Sequence, residues 1–176
     1  MSKSYRLASD EKATPVMVYT LTHLCWGEVV TKEMVRVSTY LRTLSPDYVS
    51  LHDARAVPIG GSGTSQPLAF AELHIRTPQV IALHLLPPAS EPPDYDPAET
   101  NRKMEPVSVL VGPFRFDAHL RMSTLTDLSK FLEITSDVYF SLYDAVMSCP
   151  VMSTIRPLRA ALVLIRRDAC SFAPRM

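Results

Sequence analysis

The chain of 176 residues carries one sequence pattern twice. When residues 15–57 are placed over residues 106–148, with a constant shift of 91 and no gap, identical residues coincide along the stretch. The clearest match sets Tyr48-Val-Ser-Leu-His-Asp-Ala54 over Tyr139-Phe-Ser-Leu-Tyr-Asp-Ala145. After a slip of one residue, Ala71-Glu-Leu-His-Ile-Arg76 lies over Ala161-Leu-Val-Leu-Ile-Arg166. A repeat of this length identifies the folding unit, so we predict tandem copies of one fold.

Each copy reads as a small sheet with one inserted helix. Alternating β-branched residues, such as Val16 and Val18 in the first copy, predict half-buried strands. Apolar residues at spacings of three and four then predict a helical stripe in each copy, formed by Met34, Val37, Leu41 and Leu44 and by Leu125, Leu128 and Leu132. Thr124 is expected to cap the second helix. Leu41, Leu51, Leu132 and Leu142 are expected in the core.

The fold class is therefore mainly β (α+β), with two copies of a small barrel or curled sheet. The first repeat is expected over residues 15–86 and the second over residues 106–176, after a flexible N-terminal segment at 1–14. Residues 87–105 are rich in proline and acidic side chains, which predicts a semi-extended linker. The glycine-rich stretch from Pro58 to Pro67 is expected to be a hairpin loop. Asp53 and Asp144, retained in both copies, are expected to brace a turn.

Composition narrows the functional classes. Formal net charge is zero, so no overall field draws the chain toward nucleic acid or an anionic membrane. No stretch has the ~18 apolar residues of a membrane-spanning helix, and the first residues do not resemble a signal peptide, so a cytoplasmic location is expected. The three cysteines show no Cys-x-x-Cys spacing and are expected to be buried or half-buried thiols.

The closing part of each copy resembles the final motif of Sm-like domains. Ile75-Arg76 precedes Val80-Ile-Ala-Leu83, and Ile165-Arg166 stands at the matching place. Gly27 and the later Leu51-His-Asp-Ala54 are similar to the opening motif of that family. Sm-like barrels pair their last two strands into rings and contact RNA, which the resemblance implies here as well. The chain departs from the pattern: it lacks the base-holding Asn and the Gly after the arginine, and it has a helix in mid-unit.

A second resemblance covers more of the chain. Arg36-Val-Ser-Thr-Tyr-Leu41 and Leu51-His-Asp-Ala54 are similar to a helix and a strand of a bacterial domain family of unknown function. The second copy keeps Leu142-Tyr-Asp-Ala145 but has Asp127 in place of the arginine. This resemblance implies no activity.

No catalytic or metal motif is visible. The histidines lack the His-Glu-x-x-His spacing, although His74 and His84 flank one turn and could meet across a hairpin. We expect no enzyme activity, no metal and no cofactor. An excess of arginine near the C-terminus is the one argument for nucleic-acid binding.

These patterns predict a non-catalytic assembly, scaffold or protein-interaction component that works through sheet edges. The alternative is an RNA- or ligand-binding module of Sm-like type. A protein partner or self-association is expected, and nucleic acid is not favoured. The residues expected to carry the interaction lie in the closing segment of each copy: Arg76, Val80, Ile81, Leu83, Arg166, Arg167 and Cys170.

Overall fold

A computed structural model describes residues 4–60, 66–152 and 155–175. The chain divides into two compact units, unit 1 up to Glu91 and unit 2 from Pro92. Within the described residues each unit contains five strands and one short helix. The mainly β class predicted from the sequence is confirmed.

In unit 1 the helix lies between the second and third strands. The elements are β1 Glu11–Tyr19, β2 His23–Lys32, α1 Val37–Thr39, β3 Tyr48–Pro58, β4 Leu68–Arg76 and β5 Ala82–Leu85. Helix α1 continues as a π-helical turn at Tyr40–Leu44, and a 3-10 turn at Thr77–Gln79 precedes β5. The strands lie in the order β5-β1-β2-β3-β4 with antiparallel pairing. Residues 61–65 of the predicted hairpin loop are outside the described residues.

Unit 2 has the corresponding order of elements. They are β6 Arg102–Val111, β7 Phe114–Ser123, α2 Leu128–Ile134, β8 Tyr139–Ser148, β9 Leu158–Arg166 and β10 Cys170–Pro174. The strand order is β10-β6-β7-β8-β9, again antiparallel. Over the described ranges β4 does not pair with β5, nor β9 with β10, so each unit is an open sheet. The closed-barrel form of the fold prediction is therefore not found.

Alternating apolar residues build the core of each sheet. Phe114, Phe116, Ala118 and Leu120 on β7 are fully buried, as their period of two predicts. Leu51 and Leu142, expected in the core, are 0% exposed, and so is Leu41.

The helices are shorter than the sequence patterns predicted. Met34 and Leu125 are both 93% exposed because they precede the helices. Leu44 is 60% exposed, and Leu132 is only half-buried, which corrects its assignment to the core. Asp127, rather than Thr124, caps α2: its side chain accepts a hydrogen bond from the Lys130 amide at 2.8 Å.

A β-bulge bends the third strand of each unit. The register between β2 and β3 shifts between Trp26 and Glu28, and that between β7 and β8 shifts between Asp117 and His119. The extra residue is an aspartate with positive φ, 47° at Asp53 and 50° at Asp144. Aspartate is among the few residue types that tolerate this left-handed conformation.

The bulge breaks the strand alternation that the sequence suggested. Leu51 and Ala54 are both buried, although three positions separate them, whereas Asp53 between them is exposed. Strict alternation along β3 would place Asp53 on the same face as Leu51. The structure departs from it because the left-handed residue turns the strand by one position.

Gly27 lies opposite the bulge in unit 1. A Cβ atom there would be 2.8 Å from the backbone oxygen of His52 and 3.1 Å from the Cα of Ala54. The close approach of two backbones explains why this position has no side chain.

Residues expected to form flexible ends or a linker hold several ordered contacts. In the segment before β6, Asp94 accepts hydrogen bonds from Ser141 and Tyr143, and Glu99 binds Arg121 at 2.6 Å. Glu91, at the end of unit 1, binds the Val37 amide and the Ser38 hydroxyl. The last residues of the expected linker, from Arg102 to Glu105, belong to β6.

A tyrosine precedes the first strand of each unit and packs on the third strand. Tyr5 lies on His52 with ring centroids 4.4 Å apart, and Tyr95 lies on Tyr143 at 5.0 Å. His52 and Tyr143 occupy matching positions in the two sequence copies. The predicted N-terminal segment at 1–14 therefore includes both this contact and the start of β1 at Glu11.

Candidate functional site

An apolar cavity of about 440 Å³ opens in unit 1 between β4 and the turn that joins β1 to β2. Its apolar walls come from the strands β2, β3 and β4 and from the segment before β5. They include Cys25, Ala56, Phe70, Leu73, Ile75 and Ile81. This volume is within the ~300–1,000 Å³ typical of small-molecule pockets.

The register of β3 and β4 explains which side chains reach the cavity. Phe70 pairs with Ala54, and Leu73 pairs with Leu51. Since directly opposed residues share a face of a sheet, both β4 side chains lie on the face where Ala54 and Leu51 are buried. Ala56, two positions further along β3, is small and lines the cavity with Phe70.

A comparison of the two copies shows why space remains in unit 1. Cys25 and Ala56 form a directly opposed pair on β2 and β3, and the matching pair on β7 and β8 is Phe116 with Met147. Phe116 and Met147 are 0% and 2% exposed. Unit 1 therefore has two small side chains where unit 2 fills its interior with two large ones, and small residues leave empty volume that larger ones would occupy.

The mouth of the cavity is apolar and exposed. Leu21 is 64% exposed, Leu68 53% and Phe70 39%, and all three line the opening. Single exposed apolar residues are ordinary, whereas a group of them around a cavity marks a binding surface. We call Leu21, Leu68 and Phe70 the mouth cluster.

Strand β4 forms an edge beside this opening. It has β3 as its one neighbour among the described strands, and it runs for nine residues without proline. An edge strand of this length can present backbone amides and carbonyls to another chain. One of its carbonyls, that of Ala71, accepts a hydrogen bond from the Ser4 hydroxyl at 3.0 Å. Its side chains from Leu68 to Glu72 are all exposed.

Charged side chains cover the opposite face of β3 and β4. Glu72 lies 3.8 Å from Nε2 of His52 and 3.6 Å from Nε2 of His74. Ser50 Oγ and His74 Nδ1 are 2.8 Å apart. Arg55 and Arg76 are exposed and form no ion pair with any residue that the structure describes. Arg76 on β4 and Arg55 on the adjoining strand β3 are therefore unneutralised guanidinium groups near this edge.

Two titratable side chains in the interior of unit 1, Cys25 and His84, are buried. Burial raises the pKa of the Cys25 thiol to about 11, so the thiolate nucleophile is scarce at neutral pH. His84 is 4% exposed, its Nε2 is 2.9 Å from the Tyr19 hydroxyl, and burial lowers its pKa. His74 and His84, which could have met across a hairpin, bind Ser50 and Tyr19 instead.

Of the residues predicted to interact, Arg76 alone lies on the β4 edge. Val80, Ile81 and Leu83 are 0%, 3% and 2% exposed. The Ile81 amide was expected to be a free donor at a sheet edge. Instead it donates a hydrogen bond to the Tyr19 carbonyl at 2.9 Å. These apolar side chains stabilise the core and do not form an exposed surface.

The other predicted residues lie in unit 2. Arg166 makes a bidentate pair with Asp168 at 2.6 and 2.8 Å, which neutralises its charge. Arg167 is exposed, and Cys170 is half-buried with its pKa raised to about 12, chiefly by desolvation. Cys25 and Cys149 are buried, so all three thiols are buried or half-buried, as expected.

Sequence reasoning missed the cavity and the β4 edge. The available signal was the contrast between Cys25 and Ala56 in the first copy and Phe116 and Met147 in the second. Within residues 4–60, 66–152 and 155–175, no group of three or more His, Cys, Asp or Glu side chains is arranged to hold a metal ion. No helix in the described part of the chain is long and apolar enough to span a membrane.

Comparisons with protein-family models, with curated proteins and with solved structures find no match.

Proposed function

We propose that this protein is a non-catalytic protein-interaction component, and that strand β4 accepts an extended segment of a partner protein. The observation that carries the proposal is an open, apolar edge strand beside an exposed cavity. Main-chain hydrogen bonds to a sheet edge supply affinity, and pockets for alternate side chains supply specificity. The sequence placed the interacting edge on the closing strands, of which β10 is also an edge strand with β6 as its one neighbour among the described strands. We propose β4 instead because the cavity lies beside it.

The alternative is a module that binds RNA or a small ligand. RNA binding has less support, because Arg166 is paired with Asp168 and the net charge is zero. A small apolar ligand is favoured by one observation, the cavity volume of about 440 Å³. The edge of β4 favours a peptide over such a ligand, since a small apolar molecule leaves the backbone groups of the edge without partners.

Three further predictions accompany this function. We propose that the units are tandem copies of one domain, supported by their matching strand orders and by aspartates with positive φ at equivalent bulges. The cytoplasm remains the predicted location. The Sm-like resemblance also remains a prediction.

A peptide selection combined with backbone chemistry tests the function. A random peptide library displayed on phage is selected on the full chain, and the best peptide is resynthesised with single N-methylated amides. Strand addition predicts that N-methylation abolishes binding at alternate positions only, because alternate amides face the edge. Amide hydrogen exchange should slow at Leu68–Arg76 when the peptide binds.

Two results would contradict edge pairing. One is a peptide whose affinity is unchanged by N-methylation at every position. The other is protection that appears outside β4 while the amides of Leu68–Arg76 exchange as before. If no peptide is selected but a hydrophobic dye binds in the cavity, the small-ligand alternative takes its place.

A further inference from the structure

We infer that the partner segment has two bulky apolar residues separated by one position and is flanked by acidic residues. The inference rests on the proposed function, because it names the chemistry of the strand that β4 would accept. Three features of the described residues carry it: the size of the cavity, the position of the mouth cluster and the unpaired arginines.

The cavity is too large for one side chain. An engineered cavity of about 150 Å³ admits benzene, and the cavity of unit 1 measures about 440 Å³. A strand added to β4 lies ~4.8 Å from it, and its alternate side chains point to the same face as Leu68 and Phe70. Two large apolar residues at positions i and i+2 would therefore reach the cavity together and cover the mouth cluster.

The charges at the edge select acidic flanks. Arg76 stands at the end of β4, and Arg55 pairs with Ala69 near its other end. The residues outside the described ranges contain no aspartate or glutamate, so no acidic side chain there can neutralise the arginines. An acidic residue on each side of the apolar pair would neutralise the arginines whichever way the partner strand runs. Complementary charge would also favour the encounter of the partner segment with β4.

The site is found in unit 1 because two interior positions of that unit, Cys25 and Ala56, hold small side chains. Cys25 and Ala56 leave the volume that Phe116 and Met147 occupy at the matching positions of unit 2. The double variant Cys25→Phe/Ala56→Met thus transfers the filled interior of one unit into the other. It removes the pocket without changing the backbone edge or the arginines.

The test measures fluorescence anisotropy of the selected consensus peptide with the full chain. The Cys25→Phe/Ala56→Met variant should weaken binding about tenfold, because the bulky residues lose their pocket. Arg76→Glu should weaken it about fivefold and should reduce its salt dependence. The control Arg159→Glu reverses the charge of an exposed arginine on β9 and should leave affinity unchanged.

A second variant covers the case in which the filled unit does not fold. Leu21→Asp changes a residue that is 64% exposed at the mouth, so folding should persist while apolar contact is lost. Circular dichroism and thermal melting establish folding for each variant. A folded Leu21→Asp variant that binds the consensus peptide as the wild type does overturns the inference.

The failures of the two proposals are distinguishable. Peptides that lose binding on alternate N-methylation, but contain no spaced apolar pair or no acidic flank, support edge pairing and overturn the partner chemistry. Equal weakening by Arg76→Glu and Arg159→Glu also overturns the charge argument. Indifference to N-methylation overturns the proposed function itself.

Discussion

Replacement of Gly27 by alanine tests the account of the bulge. The new Cβ would lie 2.8 Å from the backbone oxygen of His52 and 3.2 Å from the Cβ of Leu51. Both neighbours belong to β3, and the oxygen is part of the backbone, so no flexible side chain can move aside. Overpacking of this kind costs ~1–3 kcal/mol, and a backbone contact places Gly27→Ala in the upper half of that range.

The single tryptophan of the chain is a suitable reporter. Trp26 is the neighbour of Gly27 on β2, so its fluorescence follows the unfolding of unit 1 in urea. The expected cost of ~2–3 kcal/mol in unfolding free energy corresponds to a decrease of about 4–12 °C in the melting temperature for a chain of this size.

The second unit supplies the matched control. Ala118 occupies the position that corresponds to Gly27 and is 0% exposed. Ala118→Gly should destabilise through the lost methyl group and the added freedom of the unfolded chain, by about 1–2 kcal/mol. The reasoning fails if Gly27→Ala leaves the fluorescence-detected midpoint unchanged, since the close approach of the two strands would then be incorrect.

Three further predictions concern the core and the ordered segments. Burial lowers the pKa of His84, so the unfolded chain takes up a proton at a higher pH than the folded chain does. The free energy of unfolding should therefore fall as pH drops below about 6.5, by up to ~1.4 kcal/mol per pH unit. In denaturation curves measured across this range, the His84→Gln variant should lack this pH dependence. Leu142→Ala should cost ~2–5 kcal/mol in urea denaturation, and a similar cost for the half-buried Leu132→Ala would contradict the placement of α2. Glu91→Ala should cost ~0.5–2 kcal/mol and speed amide exchange at Val37, because the carboxylate accepts a hydrogen bond from that amide.

The sequence predicted the strands well because their apolar alternation is regular outside the bulge. Phe114 to Leu120 shows this on β7, and the core positions Leu51 and Leu142 follow from the same periodicity. The order of elements in each unit, with the helix between the second and third strands, could also be predicted.

The helices were predicted less well, since apolar spacing does not show where a helix begins. Met34 and Leu125 continue the spacing of the helical stripe, yet both lie in the turns before the helices. Aspartate and threonine are both favoured at the start of a helix, so the sequence did not show whether Asp127 or Thr124 is the cap.

The candidate site could not be predicted because it depends on which strand becomes an edge and which pairs of residues oppose each other. Ile81 was predicted to lie at a sheet edge, but its amide donates a hydrogen bond to the Tyr19 carbonyl. The contrast of Cys25 and Ala56 with the larger residues of the second copy is present in the sequence, but the register alone shows that Cys25 and Ala56 lie opposite each other.

The bulge on the third strand of each unit also affects its pairing with the fourth strand. Asp53 and Ala71 are the one pair of positions left unmatched along the β3–β4 register, and Asp144 and Ala161 are left unmatched in the same way on β8 and β9. If Asp53 and Ala71 were deleted together, the buried residues of β3 would alternate strictly, and the hairpin would be a regular two-stranded ribbon. Such a ribbon would lose the local kink and the added twist that a bulge introduces. The inserted pair is common to both units, so it sets a twist that the two hairpins share, whereas the cavity of unit 1 follows from its small side chains Cys25 and Ala56.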